Sequence, residues 1–322
     1  MERNKQLVFI VGSGRSGTTL LRNILEKHPK VSVSPELKFF DVILANRQRL
    51  IFFGHKAKAE RLVQRIGEKY KQSEDPLWKK FVLDKKELLK NLDLSQGYSH
   101  VFLAIWSHFS TAPQAPIWVE KTPSNVFFLD KIIRYFPQAK IIHVVRDGRE
   151  VVASAKKRNW AENTLELVIW WQESIKAFNK WKKKNSSGYL EIKYEDLVSN
   201  LEPELTRIFG FLSLPLPNEN FLSSLKEIES FSSFFESSKR GVYQSGHYKD
   251  FFSDKEQRDI ESIISRELSM LGYKLYFEGE KFTFSLIYPF LLLKIRLNLL
   301  SRRLGLFWLW SYFGGIFRSI KK

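Results

Sequence analysis

The 322-residue chain has no cysteine and only two methionines. The missing thiols exclude disulfides, a cysteine nucleophile and a cysteine-ligated metal, and they are compatible with a reducing compartment. The six histidines show no ligand spacing, so no metal is expected. A signal-peptide hydrophobic region is missing too. MERNKQ leads directly into an apolar run, with no N-terminal membrane anchor, which favours a cytoplasmic location. Acidic residues are scarce: 35 Asp and Glu stand against 52 Lys and Arg, a formal charge of +17. Such a balance suits an anionic cofactor, an acidic substrate, nucleic acid or an anionic membrane. What remains is ordinary for a globular protein, with 43% hydrophobic and 27% charged residues, and long enough for a substantial core.

The most informative stretch is QLVFIVGSGRSGTTLLRNILEKH, residues 6–28. Leu7 to Val11 reads as a short buried strand. Gly12, Gly14 and Gly17 form a turn with free backbone N–H groups, and Thr18 and Thr19 open an amphipathic helix carrying Leu20, Leu21, Ile24 and Leu25. A strand, a glycine-rich loop and a helix N-terminus together make an anion site, because unpaired N–H groups and the helix dipole both favour phosphate. One residue is absent from it. The triphosphate loop GxxxxGK[ST] has a lysine that reaches the β- and γ-phosphates, but here Thr18 takes that place and the loop's cation is Arg15. The loop can hold a 5′-phosphate group and is poorly equipped for a γ-phosphate.

Farther on, apolar strands are expected at 31–34, 117–119, 140–145 and 189–192, alternating with helical segments. Alternation of this kind predicts an α/β fold, a P-loop-like parallel sheet flanked by helices. Polar clusters directly follow the strands at residues 12–19, 120–125, 146–149 and 193–196, with Glu36 as a fifth. In an open α/β sheet the carboxyl ends of the strands line the ligand crevice, so these clusters are expected to converge. Arg146, at a strand end, offers a planar fork suited to phosphate, and Ser154 lies about two turns into the following helix. Trp160, Trp170, Trp171 and Trp181 read mainly as core, with Trp160 a candidate for the cofactor's vicinity.

Gly14-Arg-Ser-Gly-Thr-Thr19 resembles the 5′-phosphosulfate loop of sulfotransferases that use 3′-phosphoadenosine-5′-phosphosulfate (PAPS), and with the following LLRNILEKHP it looks most like the tyrosylprotein-type and bacterial members. The resemblance covers about Gln6 to Tyr273. It implies cofactor binding by Gly14, Arg15, Ser16, Gly17, Thr18 and Thr19, with Arg146 and Ser154, at the family's separation of eight, on the 3′-phosphate. Tyr194-Glu-Asp resembles a segment that places the tyrosine near adenine. Lys239-Arg-Gly241, followed by Gly246-His-Tyr-Lys249, resembles the late segment that closes over the 3′-phosphate, with Tyr248 in place of tryptophan.

For catalysis, the histidine that cytosolic relatives carry two residues after a Lys-Thr pair is replaced here by Pro123. Glu36, in VSVSPELKFF, matches the glutamate that the Arg-type relatives use as general base. By the same match Lys121 and Arg15 would stabilise charge on the oxygen that leaves the transferred group. The implied reaction moves a sulfuryl group from PAPS to an acceptor hydroxyl or amine and releases adenosine 3′,5′-bisphosphate. The acceptor stays open among carbohydrate, lipid, small alcohol and peptide tyrosine. Two rivals remain at this point: a P-loop kinase or NTPase, and a non-catalytic basic binder of membrane surface or nucleic acid. A nucleic-acid partner is not expected under the first reading.

Domain organisation is expected as a sulfotransferase domain over 1–278, with about 41–112 a helical acceptor-binding insertion, and a basic aromatic helical tail over 279–322. Lys281 to Lys322 holds eight Lys or Arg, ten aromatic residues and no Asp or Glu. Its uncharged stretches, Phe282–Leu293 and Leu304–Phe317, span 12 and 14 residues, short of the about 20 needed to cross a bilayer. The expectation is a peripheral contact with an anionic membrane, on its inner face, made by short helices broken at Pro289 and Gly314-Gly315. Packing on the domain or a homodimer contact is the alternative.

Overall fold

A computed structural model describes residues 5–40, 55–72, 75–81, 84–161, 163–216, 218–225, 246–277 and 287–304. Five strands, β1 (Gln6–Gly12), β2 (Val31–Val33), β3 (Ile117–Lys121), β4 (Lys140–Val145) and β5 (Tyr189–Lys193), form one parallel sheet in the order β2-β3-β1-β4-β5. The helices are α1 (Thr18–Glu26), α2 (His55–Gln72), α3 (Lys85–Asn91), α4 (Gly97–His108), α5 (Leu129–Tyr135), α6 (Gly148–Lys156), α7 (Thr164–Lys182), α8 (Tyr194–Ser199), α9 (Leu201–Leu212), α10 (Glu219–Ser224), α11 (His247–Phe251), α12 (Asp254–Met270) and α13 (Ile287–Leu304). The α/β expectation holds. Val8 to Val11 of β1 are fully buried, as a strand covered on both faces requires.

The chain forms two units, one of Met1–Phe9, Pro29–Ala139 and Arg296–Lys322, the other of Ile10–His28 and Lys140–Ile295. In the first, β2 pairs in parallel with β3, Val31 opposite Ile117 and Val33 opposite Val119. Its core is aromatic. Phe9, Phe39, Phe40 and Phe102 pack with ring centroids 5.2–6.1 Å apart, and Trp106 stacks on Trp118 at 4.1 Å. The free edge of β2 is sealed by the loop after α4. The Val33 N–H donates to Thr111 Oγ1 at 3.2 Å, the Thr111 N–H to the Val33 carbonyl at 3.1 Å, and the Ala112 N–H to Ser32 Oγ at 2.8 Å.

In the second unit, β4 pairs in parallel with β5, Ile141 opposite Tyr189 through Val145 opposite Lys193. Val151 and Val152 of α6, Trp171 and Ile175 of α7 and Ile260, Ile264 and Leu268 of α12 share one buried cluster. Helix α12 starts with a full capping box, in which Ser253 accepts from the Glu256 N–H and Glu256 accepts from the Ser253 N–H.

Two differences from the sequence reading have plain causes. Pro289 does not break the tail: α13 runs unbroken from Ile287 through the basic cluster to Leu304. Pro289 lies in the first turn, where a helix N–H has no partner to lose. The short helices α8, α10 and α11, of five or six residues, are too brief for periodicity to reveal. Residues 41–54 of the expected helical insertion and 305–322 of the tail lie outside the described residues.

Candidate functional site

The second unit contains the glycine-rich loop and the elements around it. Helix α1 begins after Gly17, whose φ of 92° lies in the left-handed region, and no side chain caps the first turn. The helix therefore presents its first N–H groups to whatever sits above the loop. Arg15 has a φ of 69°, an uncommon backbone state for a non-glycine residue. Space and backbone conformation both call for glycine at 17, and at 14 a side chain would have to displace the half-exposed Trp160 ring. A Cβ on Gly17 would lie 2.3 Å from the Tyr194 ring, and one on Gly14 would lie 2.6 Å from Trp160. Two aromatic side chains thus press on the loop backbone from α8 and from the turn after α6.

Side chains from three strand ends meet here. Arg15 Nε donates to Ser154 Oγ at 3.1 Å, so the loop cation and the hydroxyl of α6 are already in contact. Arg146, following β4, donates from Nη1 to the Arg15 carbonyl at 3.3 Å and lies over the Tyr194 ring at 4.5 Å. The Arg15 guanidinium also lies 5.6 Å from the ring centre of Trp160, a side chain left half exposed. The structure brings Gly14 to Thr19, Arg146, Ser154, Tyr194 and Trp160 into one cluster; Thr18 is buried and Thr19 exposed. Burial raises the Tyr194 hydroxyl's pKa, against an opposing pull from Arg146, which keeps it a neutral donor.

The fit of a phosphate-bearing ligand can be judged from atoms left without partners. Ser16 Oγ and Arg146 Nε are buried and make no hydrogen bond. A donor in that state costs stability unless something supplies an acceptor, and phosphate oxygens are acceptors. The neighbouring arginine differs completely. Arg149 donates to both Asp147 oxygens, to Glu261 at 2.5 Å and to the Lys274 carbonyl at 3.0 Å, and it lies over Tyr248 and Tyr276. Of the two arginines of Arg146-Asp-Gly-Arg149, one is structural and one keeps open hydrogen-bonding capacity. Tyr248, which replaces the family's tryptophan, is buried against Arg149. The backbone N–H of Gly246 donates to Glu150 at 2.8 Å, and Glu150 also accepts from Arg146 at 3.4 Å. That links the start of α11 to Arg146. Lys239, Arg240 and Gly241 lie outside the described residues.

The first unit holds the other pair. Lys121, at the end of β3, is buried and donates from Nζ to Glu36 Oε1. Lys38 Nζ stands 3.9 Å from the other Glu36 oxygen, and the Glu36 backbone N–H donates to Asp75 at 3.0 Å. Glu36 keeps 21% side-chain exposure while Lys121 keeps 2%, so the carboxylate is the reachable member. Glu120 was not singled out in the sequence, although its cluster was. It is buried and accepts from Thr122 Oγ1, from Asn125 Nδ2 at 2.7 Å and from the Leu37 N–H. Burial, reinforced by the Glu36 charge, pushes its carboxyl up to about 7 even though these donors pull the other way. Among the described residues no group of His, Asp and Glu could hold a metal ion.

Residues 7–218 match the sequence model of the Sulfotransferase family. The chain is 27% identical over 233 residues to a protein-tyrosine sulfotransferase of Drosophila melanogaster, covering 69% of this chain and 42% of that protein. It is 26% identical over 221 residues to protein-tyrosine sulfotransferase 1 of Danio rerio, covering 66% of this chain and 54% of that protein. An uncharacterized protein of Aquifex aeolicus (strain VF5) is 25% identical over 254 residues, with 75% of this chain and 30% of that protein covered. The chain therefore spans between about a third and a half of these relatives' lengths. The fold is similar to the sulfotransferase domain from the curacin biosynthetic pathway, with a TM-score of 0.56, 20% identity and coverage of 85% of this chain and 100% of that one.

Proposed function

Because the chain belongs to the sulfotransferase family, we propose that it transfers a sulfuryl group from PAPS to an acceptor hydroxyl or amine. The observation that carries this reading is the loop cluster. Arg15 is bonded to Ser154, and Arg146 is tied to the Arg15 carbonyl with its own Nε buried and without a partner. Residues 14–19 would hold the 5′-phosphosulfate, Arg146 and Ser154 the 3′-phosphate, and Tyr194 with Trp160 the adenine side. Lys239, Arg240 and Gly241 are retained as further contacts on the strength of the resemblance. PAPS supplies an activated sulfuryl group whose leaving group is adenosine 3′,5′-bisphosphate.

The chain's residues divide the remaining work. Glu36 takes the proton from the acceptor as its oxygen or nitrogen bonds to sulfur, and the sulfur–oxygen bond to the nucleotide breaks. Lys121 holds the Glu36 carboxylate in place. On the family match, Lys121 and Arg15 are each proposed to offset negative charge on the leaving oxygen. Among acceptors, the relatives named protein-tyrosine sulfotransferases favour a peptide tyrosine, ahead of carbohydrate, lipid and small alcohols, and the +17 charge suits an acidic one. The kinase reading is disfavoured by Thr18 in place of the lysine. We place the enzyme in the cytoplasm, held peripherally on an anionic membrane face by its tail, whether as a monomer or a homodimer.

The test is turnover of sulfur-labelled PAPS against a panel of acidic tyrosine peptides, oligosaccharides, glycolipids and alcohols. Label transfer with release of adenosine 3′,5′-bisphosphate is expected. Binding of ATP with Mg²⁺-dependent phosphoryl transfer, and no affinity for PAPS, would overturn the proposal.

A further inference from the structure

Helix α13 has two opposite faces that the composition of the tail does not reveal. Leu291, Ile295 and Leu299 are buried at 4–7% exposure. Phe290, Leu293, Leu297, Leu300 and Leu304 are exposed at 61%, 57%, 44%, 50% and 48%. The second series advances by three and four residues alternately, so at about 100° per residue it forms a single straight seam diametrically opposite the buried one. Tyr288, donating to Gln172 at 3.4 Å, and Lys294, donating to Glu166 at 2.9 Å, fasten the start of the helix to α7. Its outward face is thereby held outward. Isolated exposed apolar residues need no explanation, but four leucines and a phenylalanine in register on one helix mark a binding surface.

The spacing alone would also suit pairing of two copies through a heptad seam. The charges beside the seam argue against that. Lys294 and Arg296, both exposed, flank it on its two sides, and no acidic residue occurs from Lys281 to Lys322. Two copies joined through this seam would set basic flanks beside basic flanks, with nothing acidic on the helix to pair with them. An anionic lipid surface answers both features, since acyl chains accept the leucines and headgroups accept the cations. No described helix is long and apolar enough to cross a membrane, so the seam lies along the surface.

We propose that the Phe290–Leu293–Leu297–Leu300–Leu304 face of α13 is the insertion face by which the protein lies on an anionic bilayer, with Arg296 at headgroup depth and Lys294 kept on Glu166. This rests on the peripheral placement proposed above and adds the residues that make the contact. The lack of native cysteine makes a direct test available. Leu297→Cys and, as a control on exposed α10, Glu219→Cys would each carry an environment-sensitive fluorophore on the full chain. With vesicles of phosphatidylcholine and phosphatidylserine at low salt, the label at 297 should shift to an apolar spectrum and that at 219 should not. Phosphatidylcholine alone, or high salt, should abolish the shift. The triple variant L293N/L297N/L300N should lose at least about tenfold in vesicle partitioning, with unchanged adenosine 3′,5′-bisphosphate affinity and thermal midpoint. Vesicle binding by wild type that survives in this variant would overturn the seam and leave peripheral binding standing. Absence of binding by wild type would overturn both. A concentration-dependent dimer that the triple variant abolishes, without vesicle binding, would make the partner a second copy and refute the proposal.

Discussion

Glu120 is a buried carboxyl whose titration can be followed through the stability of the whole chain. Its pKa rises from 4.5 in the exposed state to about 7 in the fold, so at pH 8 ionisation in place costs about 3 kcal/mol. The sign follows from proton counting. Below pH 4.5 both the folded and the unfolded chain hold the proton. Between 4.5 and about 7 the unfolded chain has released it and the folded chain has not, so stability falls as pH rises, and the full loss is present above 7. Glu120→Gln removes the titration. The new amide nitrogen can face Thr122 Oγ1, which can turn to accept, while the remaining oxygen keeps Asn125, at a cost of about 1 kcal/mol. Urea unfolding of wild type and variant at pH 5, 6, 7 and 8 measures the difference, in which titrating groups not coupled to Glu120 cancel. The variant should be close to wild type in stability at pH 5 and gain about 2.5 kcal/mol relative to it by pH 8. Parallel curves across this range would refute the reasoning and place Glu120 in the ordinary carboxylate range.

Arg146→Ala should weaken binding of adenosine 3′,5′-bisphosphate by about 10²-fold and that of the 3′-dephosphorylated nucleotide much less; calorimetry showing equal losses would make Arg146 structural. Glu36→Gln should lower turnover by about 10²–10⁴-fold with nucleotide affinity retained, and a near-normal rate in folded protein would send the search for the base elsewhere. Gly17→Ala should lose nucleotide binding, because its Cβ would meet the Tyr194 ring at 2.3 Å with φ at 92°; titration that finds wild-type affinity would show that the loop and α8 move freely.

The parts of the site that sequence revealed are those fixed by the local chain. Apolar runs placed all five strands, most plainly β1 and β3, where burial on both faces leaves few polar options. The loop was readable because a tight strand-to-helix turn of the anion-binding type calls for glycine and hydroxyl residues at set intervals. Arg146 and Ser154 stood out because their separation of eight resembles the family's, yet nothing in it showed that Ser154 meets Arg15. Contacts across long stretches of chain leave no such mark. Trp160 covers Gly14 only because the turn after α6 folds back, and a lone tryptophan has no period. Asp75 supports the Glu36 backbone from 39 residues away. Glu120 looked like part of a polar cluster, and only its burial sets it apart from Glu36.

The sealed edge of β2 limits how the protein can assemble. An outermost parallel strand ordinarily offers a ladder of unmet amides to any passing extended chain. Here Val33 meets Thr111 through both its N–H and its carbonyl, and Ser32 Oγ accepts from Ala112. An extended peptide brought to that edge would find both backbone groups of Val33 already taken. A chain laid along that stretch of β2 would have to be read through its side chains, by charge and shape rather than by backbone pairing.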